Sequence, residues 1–245
     1  MKSRIDLSDV TFIIPYFRDS LERGENLQCI LKFLKDNFDT KINLVESGSQ
    51  ISVYNSPDKG YKHSILFGDD FHRTKVINYG IINAETPYIA IYDTDCVFEP
   101  ENILKAVQLL REGLTLTYPY YGSFYDIERS YITDGVIKKH NSYVTGSCGG
   151  ACFLNREHYL KCGLENEHLL GAHVPEDKER YERVKNLGYL IGRVEGDCYH
   201  IMHPPSKDSK ANPYATSNNV EYLKVKNMDK KSLEKYVSEW EWTKI

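Results

Sequence analysis

Apolar positions along this chain alternate between two rhythms. Short β-branched and aromatic runs at 10–14, 42–45, 64–67 and 87–92 read as buried strands. Between them, Leu27, Ile30, Leu31, Leu34 and Phe38, then Val76, Ile77, Gly80, Ile81 and Ala84, recur at three- and four-residue spacing. That spacing predicts helices from residue 25 onward and over 73–84. Glu46-Ser47-Gly48-Ser49 then reads as a loop after the second strand. Strands alternating with helices imply βαβ units and a mostly parallel sheet in an α/β fold. Right-handed crossovers would bring the strand ends near Arg18, Glu46 and Asp95 to one edge.

The second half is less regular. Pro100 sits where a helix favours it, and the periodicity runs to Gly113. A strand follows over 114–118, then a tyrosine-dense segment, 118–125, read as a loop or broken strand serving either core packing or an acceptor platform. Asp134-Gly135 is a hairpin turn signal. Asn155 is placed to cap a short helix that stops at Gly163. Pro175-Glu176-Asp177 opens another helix, closing at Gly188. The segments 189–194 and 197–202 read as a hairpin, 204–219 as a polar loop, and the C-terminus as one charged amphipathic helix.

Composition narrows the partners. A chain of 245 residues with net charge −4 gives no electrostatic argument for nucleic acid. Six cysteines without a CxxC pair fit reduced, mostly buried thiols in a cytosolic setting. The first residues are too polar for a signal peptide, and no apolar run approaches the roughly 20 residues of a membrane span. There is no GxGxxG and no phosphate-binding P-loop. A bound diphosphate would therefore need a metal and arginines to neutralise it.

Three polar clusters fall at element ends. Asp93 and Asp95 follow the central strand at i, i+2, presenting two hard oxygens suited to Mg²⁺ or Mn²⁺. Glu176 and Asp177 stand in a first helical turn, where the helix dipole alone accounts for acidic residues. His200 and His203, taken alone, are ordinary strand and turn histidines. Together the clusters describe a metal, a diphosphate and a separate carboxylate base.

At this point the sequence resembles the GT-A-fold glycosyltransferases, near family 2 and the β-1,4-galactosyltransferase C-terminal type shared with bacterial chondroitin-type polymerases. The resemblance rests on Gly149-Gly150-Ala151-Cys152-Phe153, Arg156-Glu157-His158-Tyr159, Gly163, Asn166-Glu167, Glu176-Asp177-Lys178-Glu179-Arg180, and Gly192-Arg193 through His200 and His203. Ile14-Pro15-Tyr16-Phe17-Arg18 is similar to the family's first strand and its uridine-diphosphate contact. Phe71-His72-Arg73-Thr74-Lys75 resembles the segment whose arginine approaches the nucleotide. Asp93-Thr94-Asp95 matches the DxD motif, and Glu46 stands where relatives often carry an acidic residue facing the base.

The resemblance implies one GT-A domain over 1–203, with a nucleotide-binding half (1–98), an acceptor-binding half (99–203) and a C-terminal loop and helix (204–245). It implies that Asp95 ligates Mn²⁺ (or Mg²⁺), with Asp93 on the ribose or metal and His203, or else His200, as imidazole ligand. Asp177 becomes the general base and Glu176 its neighbour in the acceptor site. The reaction is inverting transfer from a UDP-sugar to a glycan or lipid-linked glycan, by a cytoplasmic protein with peripheral association at the inner membrane face. Two positions depart from the pattern. Gly171-Ala172-His173-Val174-Pro175 replaces a tryptophan-rich platform, with His173 as its substitute, and Lys178 stands where a further aspartate is common. The alternatives are a nucleotide-sugar or glycan binding module of this fold, a haloacid-dehalogenase-like phosphatase using the first aspartate, and a Cys148 or Cys152 nucleophile.

Overall fold

The computed structural model describes residues 3–53, 60–68, 71–130, 132, 139–143, 146–171, 175–205 and 212–244. Its strands in chain order are β1 (Ile5–Tyr16), β2 (Phe38–Gly48), β3 (Lys62–Phe67), β4 (Tyr88–Tyr92), β5 (Cys96–Val97), β6 (Leu116–Tyr118), β7 (Phe124–Ile127), β8 (Lys139–Tyr143), β9 (Ala151–Asn155), β10 (Ile191–Arg193) and β11 (Cys198–Ile201). The helices are α1 (Leu21–Asn37), α2 (Arg73–Ile82), α3 (Pro100–Arg111), α4 (Arg156–Lys161), α5 (Glu176–Asn186), α6 (Ala215–Asn227) and α7 (Lys230–Ser238).

A seven-stranded sheet runs β10-β6-β9-β4-β1-β2-β3. β9 is antiparallel to both neighbours, and the other pairings are parallel. This is the mostly parallel α/β sheet that the alternating pattern predicts. A smaller sheet, β5-β11-β7-β8, packs beside it.

The strands are apolar because both faces are covered. Phe12 and Ile14 of β1 face one core with Leu27, Ile30 and Leu34 of α1, while Ile13 faces the other with Val76, Ile77 and Ile81 of α2. Each fully buried side chain contributes about 1.5–3 kcal/mol of transfer free energy. Gly80 lets α2 lie directly on β1, since a Cβ there would sit 2.5 Å from Ile13 Cγ2.

Several boundaries differ from the sequence reading. α1 begins four residues earlier, because the Ser20 side chain accepts from the Arg23 N–H and caps it. Phe38 is the first residue of β2 rather than the last of the helix, and Glu46 to Gly48 extend that strand. The segments at 189–194 and 197–202 do not form a hairpin. β10 pairs in parallel with β6 in the large sheet, and β11 pairs with β5 and β7 in the small one. The C-terminal helix is two helices, broken where the Asp229 side chain accepts from Ser232 N–H. Leu233 and Val237 of α7, with Trp240 after it, are buried in the second core. The Asp134-Gly135 turn and His173 lie outside the described residues. No helix among the described residues is long and apolar enough to cross a membrane.

Candidate functional site

β1, β2 and β4 end at one edge of the large sheet, and the polar clusters gather there. β4 stops at Tyr92, so Asp93-Thr94-Asp95 is a turn rather than an extended strand end. Its ends are fixed by the Asp93 N–H to the Gly150 carbonyl (2.9 Å) and the Ile201 N–H to the Asp95 carbonyl (2.6 Å). The turn thus joins the large sheet to the small one, and β11 brings His200 and His203 to Asp95.

His203 Nε2 lies 3.1 Å from Asp95 Oδ2, and His200 Nε2 lies 4.0 Å from the same oxygen. The other ring nitrogens are already engaged. His203 Nδ1 is 2.8 Å from the Pro204 carbonyl, and His200 Nδ1 is 2.9 Å from Asp126 Oδ1. Both partners are acceptors, so both Nδ1 atoms donate to them, and each Nε2 atom is turned toward Asp95. Outer acceptors that fix the tautomer in this way accompany metal-binding histidines. One ligand atom each from Asp95, His200 and His203 falls within 4.8 Å of the others, as does one each from Asp93, Asp95 and Cys96. A mixed carboxylate and imidazole set suits a divalent first-row ion.

The electrostatics follow from burial. Burial raises the Asp95 carboxyl, but the hydrogen bond from His203 and the charges of His200, Arg23 and His203 outweigh it and leave Asp95 at about 2. The same hydrogen bond lifts His203 above its ordinary value, against the effect of burial. Arg23 Nη1, 3.3 Å from Asp95 Oδ2, adds a cation that the sequence did not point to.

A second cation organises the neighbouring carboxylates. Arg73, at the first position of α2, donates from Nη2 to Asp93 Oδ1 (2.5 Å) and from Nε to Glu176 Oε1 (2.7 Å). Glu176 is buried, and its Oε2 has no hydrogen-bond partner among the described residues. Burial, then the charge of Asp177, push the Glu176 carboxyl up to about 8 against the pull of Arg73. Asp177 differs: its side chain is 29% exposed, against 6% for Glu176. Asp177 Oδ1 accepts from Arg180 Nη1 (2.8 Å), while Oδ2 faces Gly149, where a Cβ would come within 3.1 Å. Arg73, Asp93, Gly150, Ala151, Asp177 and Arg180 line one narrow depression, too tight in this structure to admit a water molecule.

The nucleotide-side candidates share the same edge. Pro15 pairs with Val45, and Tyr16 with Glu46, at the ends of β1 and β2. The Phe17 and Phe71 rings stack, with centroids 5.4 Å apart. Glu46 is buried and accepts from the Ser52 N–H (2.7 Å), the Ser52 hydroxyl and His63 Nε2 (2.8 Å). Arg18 is exposed just beyond β1. Cys152 is buried, and burial pushes its thiol up to about 12, which disfavours a nucleophile there. A larger cavity of about 390 Å³, lined by Thr11, Asn43, Lys62 and Glu85 among others, holds none of the candidate residues.

No family model matches the chain, and no curated protein matches it. Solved structures do. S. aureus TarS 1-349 aligns with TM-score 0.58 and 14% identity, over 91% of this chain and 68% of that one. The mannosyltransferase PcManGT from Pyrobaculum calidifontis, in complex with GDP-Man and Mn²⁺, aligns with TM-score 0.57 and 11% identity, over 97% and 69%. The catalytic domain of Drosophila beta1,4galactosyltransferase 7, in complex with xylobiose, gives TM-score 0.48 and 18% identity, over 83% and 79%. The fold is therefore the GT-A fold of glycosyltransferases.

Proposed function

We propose that this protein moves a sugar, of galactose or N-acetylgalactosamine type, from a UDP-sugar to a hydroxyl of a glycan or lipid-linked glycan, with inversion. The observation that carries the proposal is Asp95 faced by two imidazole Nε2 atoms whose rings are already oriented from behind. Asp95, His203 and His200, with Asp93 beside them, would hold Mn²⁺ or Mg²⁺. Bound there, the cation supplies charge neutralisation for a departing diphosphate. Pro15, Phe17, Phe71, Arg18 and Glu46 form the edge assigned to the nucleoside. Arg73, with Nε on Glu176 and Nη2 on Asp93, places a cation at that edge, where it would offset phosphate charge.

Asp177 is the assigned general base. Arg180 holds one of its oxygens while the other faces Gly149, so the carboxylate is oriented before any acceptor arrives. Burial and the charge of Asp177 push the Glu176 carboxyl up to about 8, so it carries less negative charge beside Asp177 than an exposed carboxylate would. The proposal extends to a catalytic unit over 1–203 followed by the segment 204–245, acting in the cytoplasm and peripherally at the inner membrane face on lipid-linked acceptors.

The test is a thermal-shift panel of UDP, UDP-galactose, UDP-N-acetylgalactosamine and GDP-mannose, with and without Mn²⁺, followed by UDP release with glycan acceptors. Binding to the native state raises the melting temperature. Mn²⁺-dependent stabilisation by a UDP-sugar, with UDP released on acceptor addition, is expected. Stabilisation without release across acceptors would make the chain a binding module. Phosphate release from simple esters, with no nucleotide effect, would make it a phosphatase.

A further inference from the structure

Beyond the carboxylates, Arg193 at the end of β10 stands out as a cation without an acid. Its guanidinium donates from Nη1 to the Ser147 carbonyl (2.8 Å) and from Nη2 to Cys148 Sγ (3.1 Å). Among the described residues, no carboxylate oxygen lies within 4.0 Å of it. By contrast, Arg23, Arg73, Arg180 and Arg183 each sit on a carboxylate.

Aromatic rings frame this charge. The Arg193 guanidinium carbon lies 4.3 Å from the Tyr118 ring centroid and 5.8 Å from those of Tyr121 and Tyr181. Tyr118 is buried beneath it, whereas Tyr121 is 55% exposed. Such rings stabilise a guanidinium without neutralising it, so its field persists toward solvent.

The patch adjoins Asp177. Tyr181 follows Asp177 by four residues on α5 and so lies on the same face. The Ser147–Cys148 backbone that Arg193 holds leads directly into Gly149, which packs against Asp177 Oδ2. A sugar with its hydroxyl at Asp177 would extend over Tyr181 and Tyr121 toward Arg193.

We propose that Arg193, Tyr121 and Tyr181 form an acceptor subsite for a sugar or polyol carrying an anionic group, a carboxylate or a phosphate. The rings would take the apolar face of the acceptor, and the guanidinium N–H groups not turned to Ser147 and Cys148 would take the anion's oxygens. This assignment rests on the transferase reading, since it places the acceptor at Asp177.

The test compares ligands in acid and neutral pairs, by calorimetric titration of the full chain with UDP and Mn²⁺ present. One pair is a glucuronate-terminated oligosaccharide and its carboxyl-reduced form. The other is a polyol-phosphate oligomer and its phosphate-free counterpart. The pair with the larger ratio identifies the source of the anion. At least tenfold tighter binding of one acid form is expected, shrinking to less than twofold in Arg193→Gln. Arg193→Lys, which keeps the charge and loses the fork, should fall between. The ligand-side ratio needs no variant, so it stands if Arg193→Gln fails to fold. Equal affinity for acid and neutral forms, or a preference that survives Arg193→Gln, overturns the subsite. An acid preference without transfer from any UDP-sugar keeps the subsite and rejects the transferase. Transfer with equal affinities does the reverse.

Discussion

Arg180 and Glu165 form a fully buried two-pronged ion pair, with Nε and Nη2 of the arginine 2.8 and 3.0 Å from the two carboxylate oxygens. The third prong, Nη1, reaches Asp177. One buried pair therefore sets the orientation of the proposed base. Removing one partner leaves the other charge buried and unpaired, which costs about 3–5 kcal/mol. Arg180→Met should lower stability by that order in urea unfolding, and Arg180→Met with Glu165→Leu should recover much of it. If the double variant is as unstable as the single one, the pair is not the source of the loss.

At Asp95, protons and metal compete for the same Nε2 lone pairs. His203 is raised above 6.5 by its bond to Asp95, so the Mn²⁺-induced thermal shift should fade as pH drops through a window beginning above 6.5. The metal-free protein should move the other way. A raised histidine contributes stability that is complete below 6.5 and is lost as pH rises through the folded-state value. Asp95→Asn and His203→Ala should each abolish the Mn²⁺ shift. A pH-independent shift, or one retained in both variants, would place the cation elsewhere.

The order of strands and helices in the first half was readable because burial on both faces leaves unbroken apolar runs, and the helices between them keep a clear stripe. The small sheet was not readable. Its strands are two to five residues long, and β11 finds its partners at Val97 and Phe124, far away in sequence. The segment at 197–202 was accordingly paired with its chain neighbour. In the site, Asp93, Asp95, Arg73, Asp177 and the histidines were visible as residue types at element ends. Arg23 and Asp126 were not. Arg23 meets Asp95 across 72 positions, and Asp126 sits in an aromatic run, where only its parallel register with His200 reveals its role. The start of α1 carried a legible signal, since Ser20 precedes an uninterrupted helical stretch as a serine cap does.

Glu176 gives a stability signature. Its carboxyl is held near 8 in the folded protein and would titrate at about 4.5 when unfolded. A raised carboxyl contributes stability below the unfolded value that is lost as pH climbs through the folded one. Wild-type stability should therefore decline between about pH 4.5 and 8, by up to about 5 kcal/mol at ~1.36 kcal/mol per pKa unit. Glu176→Gln, which keeps an oxygen for Arg73 Nε, should flatten that decline and be the more stable form at pH 9. Parallel pH profiles for the two proteins would show that Glu176 ionises normally.

Asp177 is the sharper test of the chemistry because its role separates from binding. Its Oδ1 is committed to Arg180, its Oδ2 lies beside Gly149, and the side chain is partly exposed. Asn in its place keeps the size and can still accept from Arg180, so the fold and the donor edge, built from β1, β2 and α2, should be retained. What is lost is the proton acceptor. General bases of this kind contribute about 10²–10⁴ in rate. Asp177→Asn should therefore lower kcat by that range while the UDP and Mn²⁺ thermal shift stays at the wild-type value. Full activity in this variant would remove Asp177 from the mechanism. Loss of the donor-induced shift together with activity would make it a structural residue of the nucleotide site instead.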